Sequence, residues 1–270
     1  METLCEKVDS REWLVCSNQG QQIFGVLHRP QNQAGALCPV VVTLHGFASH
    51  KVGTNRSSVL LAEELAKQGI ATLRFDFRGS GDSEGHLSEI AFEDFISDVM
   101  VVLKELEQIE GIDCSRLGFY GSSLGGAIAV IAAQRSNKVS ALALWAPVAS
   151  GQLWIADWMR SNPELATQDP REGLKSYRGV PLCSAFQEQF GLMSATESLK
   201  ELGQVPLLHM HGEQDKVVSI RHQLAYELVR KGASAVSEFI TYPEAEHFLG
   251  YQKVLGDVLL KTANWFKKVL

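Results

Sequence analysis

Short apolar runs recur along the chain, "PVVVTLHG", "IATLRF", "RLGFYG", "VSALALWAP", "VPLLHMHG" and "SEFITY", and most are separated by stretches of helical periodicity. Each run is too short for a buried helix and is rich in the β-branched and aromatic residues that suit strands. Strands apolar on both faces that alternate with helices require a mostly parallel sheet covered on both sides, which is an α/β fold. With 270 residues, 45% hydrophobic and 21% charged, the chain can build one such core.

The punctuation supports this reading. "EWLVCS" and "QQIFGVLHRP" form an N-terminal pair of strands, and "PVVVTLHG" is a buried strand that ends at Gly46. "SVLLAEELAKQG" is a helix stopped by Gly69, the residue type that best tolerates a left-handed C-terminal cap. Apolar residues at helical spacing (Phe92, Phe95, Ile96, Val99, Val102) predict a helix from Ala91 to Gln108. Further helices are expected from about Val218 to Lys231 and from about Phe248 to Leu270. From Val148 to about Gly203 the regularity stops, and Trp154, Trp158, Tyr177, Phe186 and Phe190 are interleaved with Pro163, Pro170 and Pro181. A segment this long is a lid or is disordered, and its apolar content favours a lid. The expected organisation is a core in two parts, residues 1–147 and 204–270, with a cap inserted at 148–203.

The chemistry is carried by "YGSSLGG", residues 120–126. Gly121, Ser123 and Gly125 fit G-x-S-x-G, with a strand before and a helix after, the context in which the serine is forced onto a sharp, exposed turn. Side chains at 121 and 125 would collide with the neighbouring strand and helix. Ser122 cannot take the role, because its frame needs glycine where Tyr120 stands. A serine hydroxyl needs a base to remove its proton and a carboxylate to orient that base. Asp215 follows the strand "VPLLHM" and His247 follows "SEFITY", both at the C-terminal edge where open α/β sheets build their sites. The backbone N–H groups of Phe47, in "LHGF", and Leu124, at the helix start, are the expected oxyanion donors.

Taken together, "VVVTLHGF", "FDFRGSGDS", "GFYGSSLGG", "HGEQD" and "EHF" resemble an α/β-hydrolase-fold serine hydrolase along nearly the whole chain. The insertion and the "FDFRGSGDSEG" loop are similar to those of bacterial cinnamoyl and feruloyl esterases; the elbow departs from them, with Ser122 and Leu124 flanking the nucleophile where many relatives have His-Ser-Gln or His-Ser-Met. The resemblance implies a carboxylic ester hydrolase that works through an acyl-enzyme on Ser123, without cofactor, on a small-molecule ester. Trp154, Trp158 and Phe186 of the cap are candidates for the substrate wall. Thioester or acyl-peptide substrates fit the same triad, and a non-catalytic binding protein of the same fold is the competing class.

Other features have plainer readings. His209 and His211 share one face of a strand, but no further ligands at metal-site spacing accompany them, so no metal is expected. "RGSGDSEG" lacks the third glycine of a dinucleotide loop and reads as a turn, with Asp82 and Ser83 bonding local backbone. Asp76 and Arg78 either pair or cap that loop. The net charge of -6 offers nucleic acid no overall attraction. The cysteines, Cys5, Cys16, Cys38, Cys114 and Cys183, are odd in number and scattered, which suits a reducing cytoplasm. The acidic N-terminus does not read as a signal peptide, and no run is long enough to span a membrane. The oligomeric state is left open.

Overall fold

A computed structural model describes residues 8–31, 37–163, 172–177, 179–249 and 252–270. Cys5 and Pro170 lie outside the described residues, as do parts of the expected cap and the junction before the last helix.

The sheet is eight-stranded, in the order β1-β2-β4-β3-β5-β6-β9-β10. An antiparallel hairpin of β1 (Asp9–Asn18) and β2 (Gln21–Pro30) forms one edge, and β2 runs antiparallel to β4 (Ala71–Phe75). From β4 onward, β3 (Cys38–Leu44), β5 (Ile112–Ser122), β6 (Ala141–Trp145), β9 (Leu207–Gly212) and β10 (Ser237–Tyr242) are parallel. The apolar runs are the central strands: β4, β6 and β9 are buried at every position.

Helices cover both faces. α1 (Ser57–Lys67) and α9 (Gln252–Val269) pack on one, and α2 (Phe92–Leu106), α3 (Leu124–Ser136) and α8 (Arg221–Arg230) on the other. α3 is buried from Leu124 through Ala133, so it is apolar on all sides, whereas α2 presents one apolar stripe. α8 starts at Arg221 and not at Val218, because the amides of Val217 and Val218 are held by the Asp215 carboxylate.

Between β6 and β9 lie α4 (Gly151–Ser161), α5 (Glu172–Lys175), the two-residue strands β7 (Ser176–Tyr177) and β8 (Val180–Pro181), α6 (Ser184–Leu192) and α7 (Ala195–Lys200). Where this segment leaves and rejoins the sheet its two ends are bonded to each other. Gly151 N donates to Met193 O at 3.0 Å and Ala195 N to Ala149 O at 2.9 Å. Gly151 is required there, since a Cβ would stand 1.7 Å from the Phe190 carbonyl oxygen. From α8, Tyr226 Oη donates to Val148 O, and the ring of His222 accepts from Ala149 N at 2.8 Å.

Candidate active site

The turn between β5 and α3 puts Ser123 at φ 56°, ψ −124°, a conformation that an L-residue keeps only where its surroundings impose it. The surroundings are tight. A Cβ on Gly121 would lie 2.5 Å from Gly125 O, and one on Gly125 would lie 2.2 Å from Leu44 O and 2.4 Å from His45 O. The glycines let the elbow sit against the end of β3, and Ser123 N is anchored to Trp145 O at 2.9 Å.

Ser123 Oγ lies 3.0 Å from His247 Nε2, and His247 Nδ1 lies 2.7 Å from Asp215 Oδ2. The carboxylate is itself fixed: its other oxygen accepts the amides of Val217 and Val218, both at 2.8 Å. The histidine loop is held from β6, where the Trp145 indole N–H donates to His247 O at 2.9 Å. The residues expected to form the triad are thus brought together from three loops at the C-terminal edge of the sheet.

Phe47 and Leu124 border the same cavity as Ser123, and among the described residues neither backbone N–H has an acceptor. The loop that carries Phe47 is pinned by His45, which donates from Nδ1 to Gly46 O at 2.8 Å while Nε2 accepts Phe77 N at 3.2 Å. Burial pushes the His45 imidazole down to about 4, which keeps it in that neutral tautomer. Farther along, the Lys51 ammonium lies between Asp76 and Asp82, and Arg74 donates to Lys51 O at 2.6 Å. Asp76 and Arg78 therefore do not pair. Asp76 holds Lys51 and the Asp82 amide, and Arg78 turns to Asp98 and Asp94 on α2. Asp82 makes an ion pair where a local backbone bond was expected; Ser83 does bond backbone, donating to Asp76 O and accepting from Phe24 N.

The cavity over Ser123 measures about 130 Å³, the scale of a single aromatic ring. Phe47, Trp154, Tyr177, Phe186 and Phe190 form one wall; Phe186 stacks on Phe47 at 4.9 Å and on Phe190 at 5.6 Å between ring centroids. Trp154 and Phe186 thus border the cavity. Trp158 does not: one turn farther along α4, it is half-buried away from the described cavity wall. The ring of Phe47, singled out in the sequence only for its backbone, is part of the wall, and Tyr120 and Trp145 were missed. Strand alternation could have found Tyr120, which lies two residues before Ser122 on one face of β5.

His209 and His211 stack at 5.6 Å beside Tyr226 and Phe239, both held below the usual histidine range by burial. His211 Nε2 donates to Val218 O at 2.8 Å, so the pair supports the loop that presents Asp215. Among the described residues no group of three or more His, Cys, Asp or Glu side chains could hold a metal ion.

A strained serine after β5, an aspartate after β9 and a histidine after β10, on a mostly parallel sheet, define the α/β-hydrolase class. The chain belongs to the family described as serine aminopeptidase, S33, whose profile matches residues 35–251. It is 31% identical over 202 residues to human (Homo sapiens) protein ABHD12B, covering 71% of this chain and 50% of that one. It is 26% identical over 280 residues to the putative esterase YitV of Bacillus subtilis, covering 93% and 98%. The chain spans about half the length of the human relative and nearly all of the bacterial one. Among solved structures, Est1E from Butyrivibrio proteoclasticus with ferulic acid bound superposes with a TM-score of 0.77 at 20% identity, covering 93% of this chain and 98% of that one. Among the described residues no helix is long and apolar enough to cross a membrane.

Proposed function

We propose that the protein hydrolyses carboxylic esters through an acyl-enzyme on Ser123. The observation that carries this reading is the hydrogen-bonded chain from Ser123 to His247 to Asp215, at 3.0 and 2.7 Å, opening into an aromatic-walled cavity. His247 takes the Ser123 proton as Oγ attacks the ester carbonyl, and the amides of Phe47 and Leu124 receive the oxyanion. His247 then protonates the departing alcohol. Water attacks the acyl-enzyme by the same route, with Asp215 holding the imidazole in its tautomer and stabilising the imidazolium.

Residues 148–203 act as a cap, with Trp154 and Phe186 against the acyl group. The described cavity wall contains no Asp, Glu, Lys or Arg, which favours a neutral substrate over one with a free terminal ammonium. Ferulic acid, named with Est1E, belongs to the aromatic acyl class that a ring-sized cavity suits. The described cysteines, Cys16, Cys38, Cys114 and Cys183, are free, in keeping with a reducing cytoplasm.

The test is fluorophosphonate labelling with mass mapping, beside turnover of p-nitrophenyl esters of increasing acyl length, methyl ferulate, and matched thioester and amide substrates. An adduct on Ser123 with ester turnover is expected. Folded protein with neither adduct nor turnover would overturn the reading in favour of a binding protein.

A further inference from the structure

Asp157 stands on α4, in the segment between β6 and β9, and its side chain is only 13% exposed. It reaches out of that segment. Ser219 Oγ and the guanidinium of Arg221, the first residue of α8, both donate to it, and Arg160 donates from the next turn of α4 at 3.0 Å. Hydrogen bonds to a charged carboxylate are roughly twice as strong as neutral ones. Among the described residues no other side chain of α4 makes a hydrogen bond or ion pair with a residue outside 148–203. Asp157 is the polar tie between this helix and the core.

His222 comes to the same seam from α8. It is fully buried, accepts from Ala149 N through Nδ1 at 2.8 Å, and so carries its proton on Nε2, which among the described residues has no hydrogen-bond partner. Asp157 Oδ2 lies 3.8 Å from that nitrogen, too far for a hydrogen bond but close enough to attract the buried N–H. The imidazole thus faces the segment at both nitrogens, at its root through Ala149 and at α4 through Asp157.

The tie bears on the shape of the cavity. Trp154, three residues before Asp157 and on the same face of α4, borders the cavity and packs edge-on against Phe190 at 5.7 Å, while Val217, two residues before Ser219, borders it from the other side of the seam. Asp157 joins the two elements. The Asp215 loop has anchors of its own, since Asp215 Oδ1 accepts the amides of Val217 and Val218 and His211 donates to Val218 O, all at 2.8 Å. Loss of Asp157 therefore frees α4 and Trp154 and leaves Asp215 in place.

We propose that Asp157 is a positioning residue for acyl selection: it ties α4 to Ser219 and Arg221, with His222 behind it, and so holds Trp154 where the indole limits the length of the acyl group that the cavity admits. This rests on the ester-hydrolase reading of Ser123, with Trp154 against the acyl group.

The test takes p-nitrophenyl butyrate and p-nitrophenyl decanoate, which differ only in the acyl chain, and compares their kcat/KM values. The ratio should favour butyrate in the unaltered protein and fall about tenfold in Asp157→Ala, while the rate at which a small fluorophosphonate labels Ser123 stays within about twofold. Arg221→Met removes a partner from the core side and should move the ratio in the same direction, which keeps the test open if Asp157→Ala does not fold. Trp154→Ala should lower the ratio too, and adding Asp157→Ala to it should change the ratio by less than about twofold, because the carboxylate acts through the indole. General damage to the fold lowers both rates and leaves the ratio in place. A ratio that neither seam variant moves, a shift of the same size in the Trp154→Ala background, or a labelling rate that falls as far as the ratio overturns the proposal. Failure of the hydrolase reading looks different, since neither ester is cleaved and Ser123 takes no label. Binding of the two esters then decides: a preference for butyrate that Asp157→Ala weakens sustains the positioning role, and an unchanged preference overturns it.

Discussion

The indole N–H of Trp145, the last residue of β6, donates to the backbone carbonyl of His247 at 2.9 Å, tying the His247 loop to the strand that also anchors Ser123 N. A contact between residues 102 positions apart thus sets where the imidazole stands. Trp145→Phe keeps an aromatic ring but removes the donor, and small displacements of a catalytic group are expensive in rate. The rate of fluorophosphonate labelling should fall about 10- to 100-fold with the protein still folded by circular dichroism; an unchanged rate would show that the loop is held by other means.

Replacing Ser123 with alanine should lower kcat by roughly 10⁶-fold, and Asp215→Asn by roughly 10⁴-fold, the second through loss of the correct imidazole tautomer. Steady-state rates on a p-nitrophenyl ester check both. Near-normal turnover in Ser123→Ala would remove the serine from the mechanism.

Gly125→Ala should destabilise the protein by more than about 3 kcal/mol, because its Cβ would press on the backbone carbonyls of Leu44 and His45 and neither can withdraw without breaking the end of β3. Gly232 is the control, since nothing lies within 4 Å of a Cβ built there. Urea midpoints of the two alanine variants should differ accordingly.

Removing the cation from the pair behind the loop that carries Phe47, by Lys51→Met, leaves the buried Asp76 carboxyl group without its ammonium partner, at an expected loss of about 3–5 kcal/mol. Thermal melting reads the loss. A melting temperature within a degree or two of the parent would mean that the Arg74 and backbone contacts suffice.

Several buried histidines use one ring nitrogen as an acceptor: His28 from Arg74 Nε, His45 from Phe77 N, and His222 from Ala149 N. Burial, with Arg74 nearby in the case of His28, pushes all of them down to about 4. Below pH ~6.5 the unfolded chain binds protons that the folded chain refuses, so the stability these rings contribute is present above about 6.5 and is lost as pH falls toward 4. Each can contribute up to ~1.4 kcal/mol per pH unit in that window. Melting temperature should therefore drop steadily from pH 7 to 4.5, and His222→Gln should flatten the slope.

Much of the fold was legible because it depends on short periods. A buried parallel strand declares itself by a continuous apolar run and a covering helix by its stripe, as in "VPLLHMHG" and the stretch around Phe95, and both signals lie within a few residues of chain. The elbow was legible for the same reason: the glycine spacing around Ser123 is a local steric demand, met by φ 56° and by the close approach of Leu44 O.

What only the tertiary structure decided is everything that depends on which distant groups meet. Strand order places His247 beside Ser123 across 124 positions of chain. Asp76 and Arg78, two residues apart, turn to different partners because Lys51 and Asp98 are brought to each from elsewhere. Trp154 reaches the cavity wall and Trp158 does not, although composition treats them alike, because orientation is set by how α4 packs on α6.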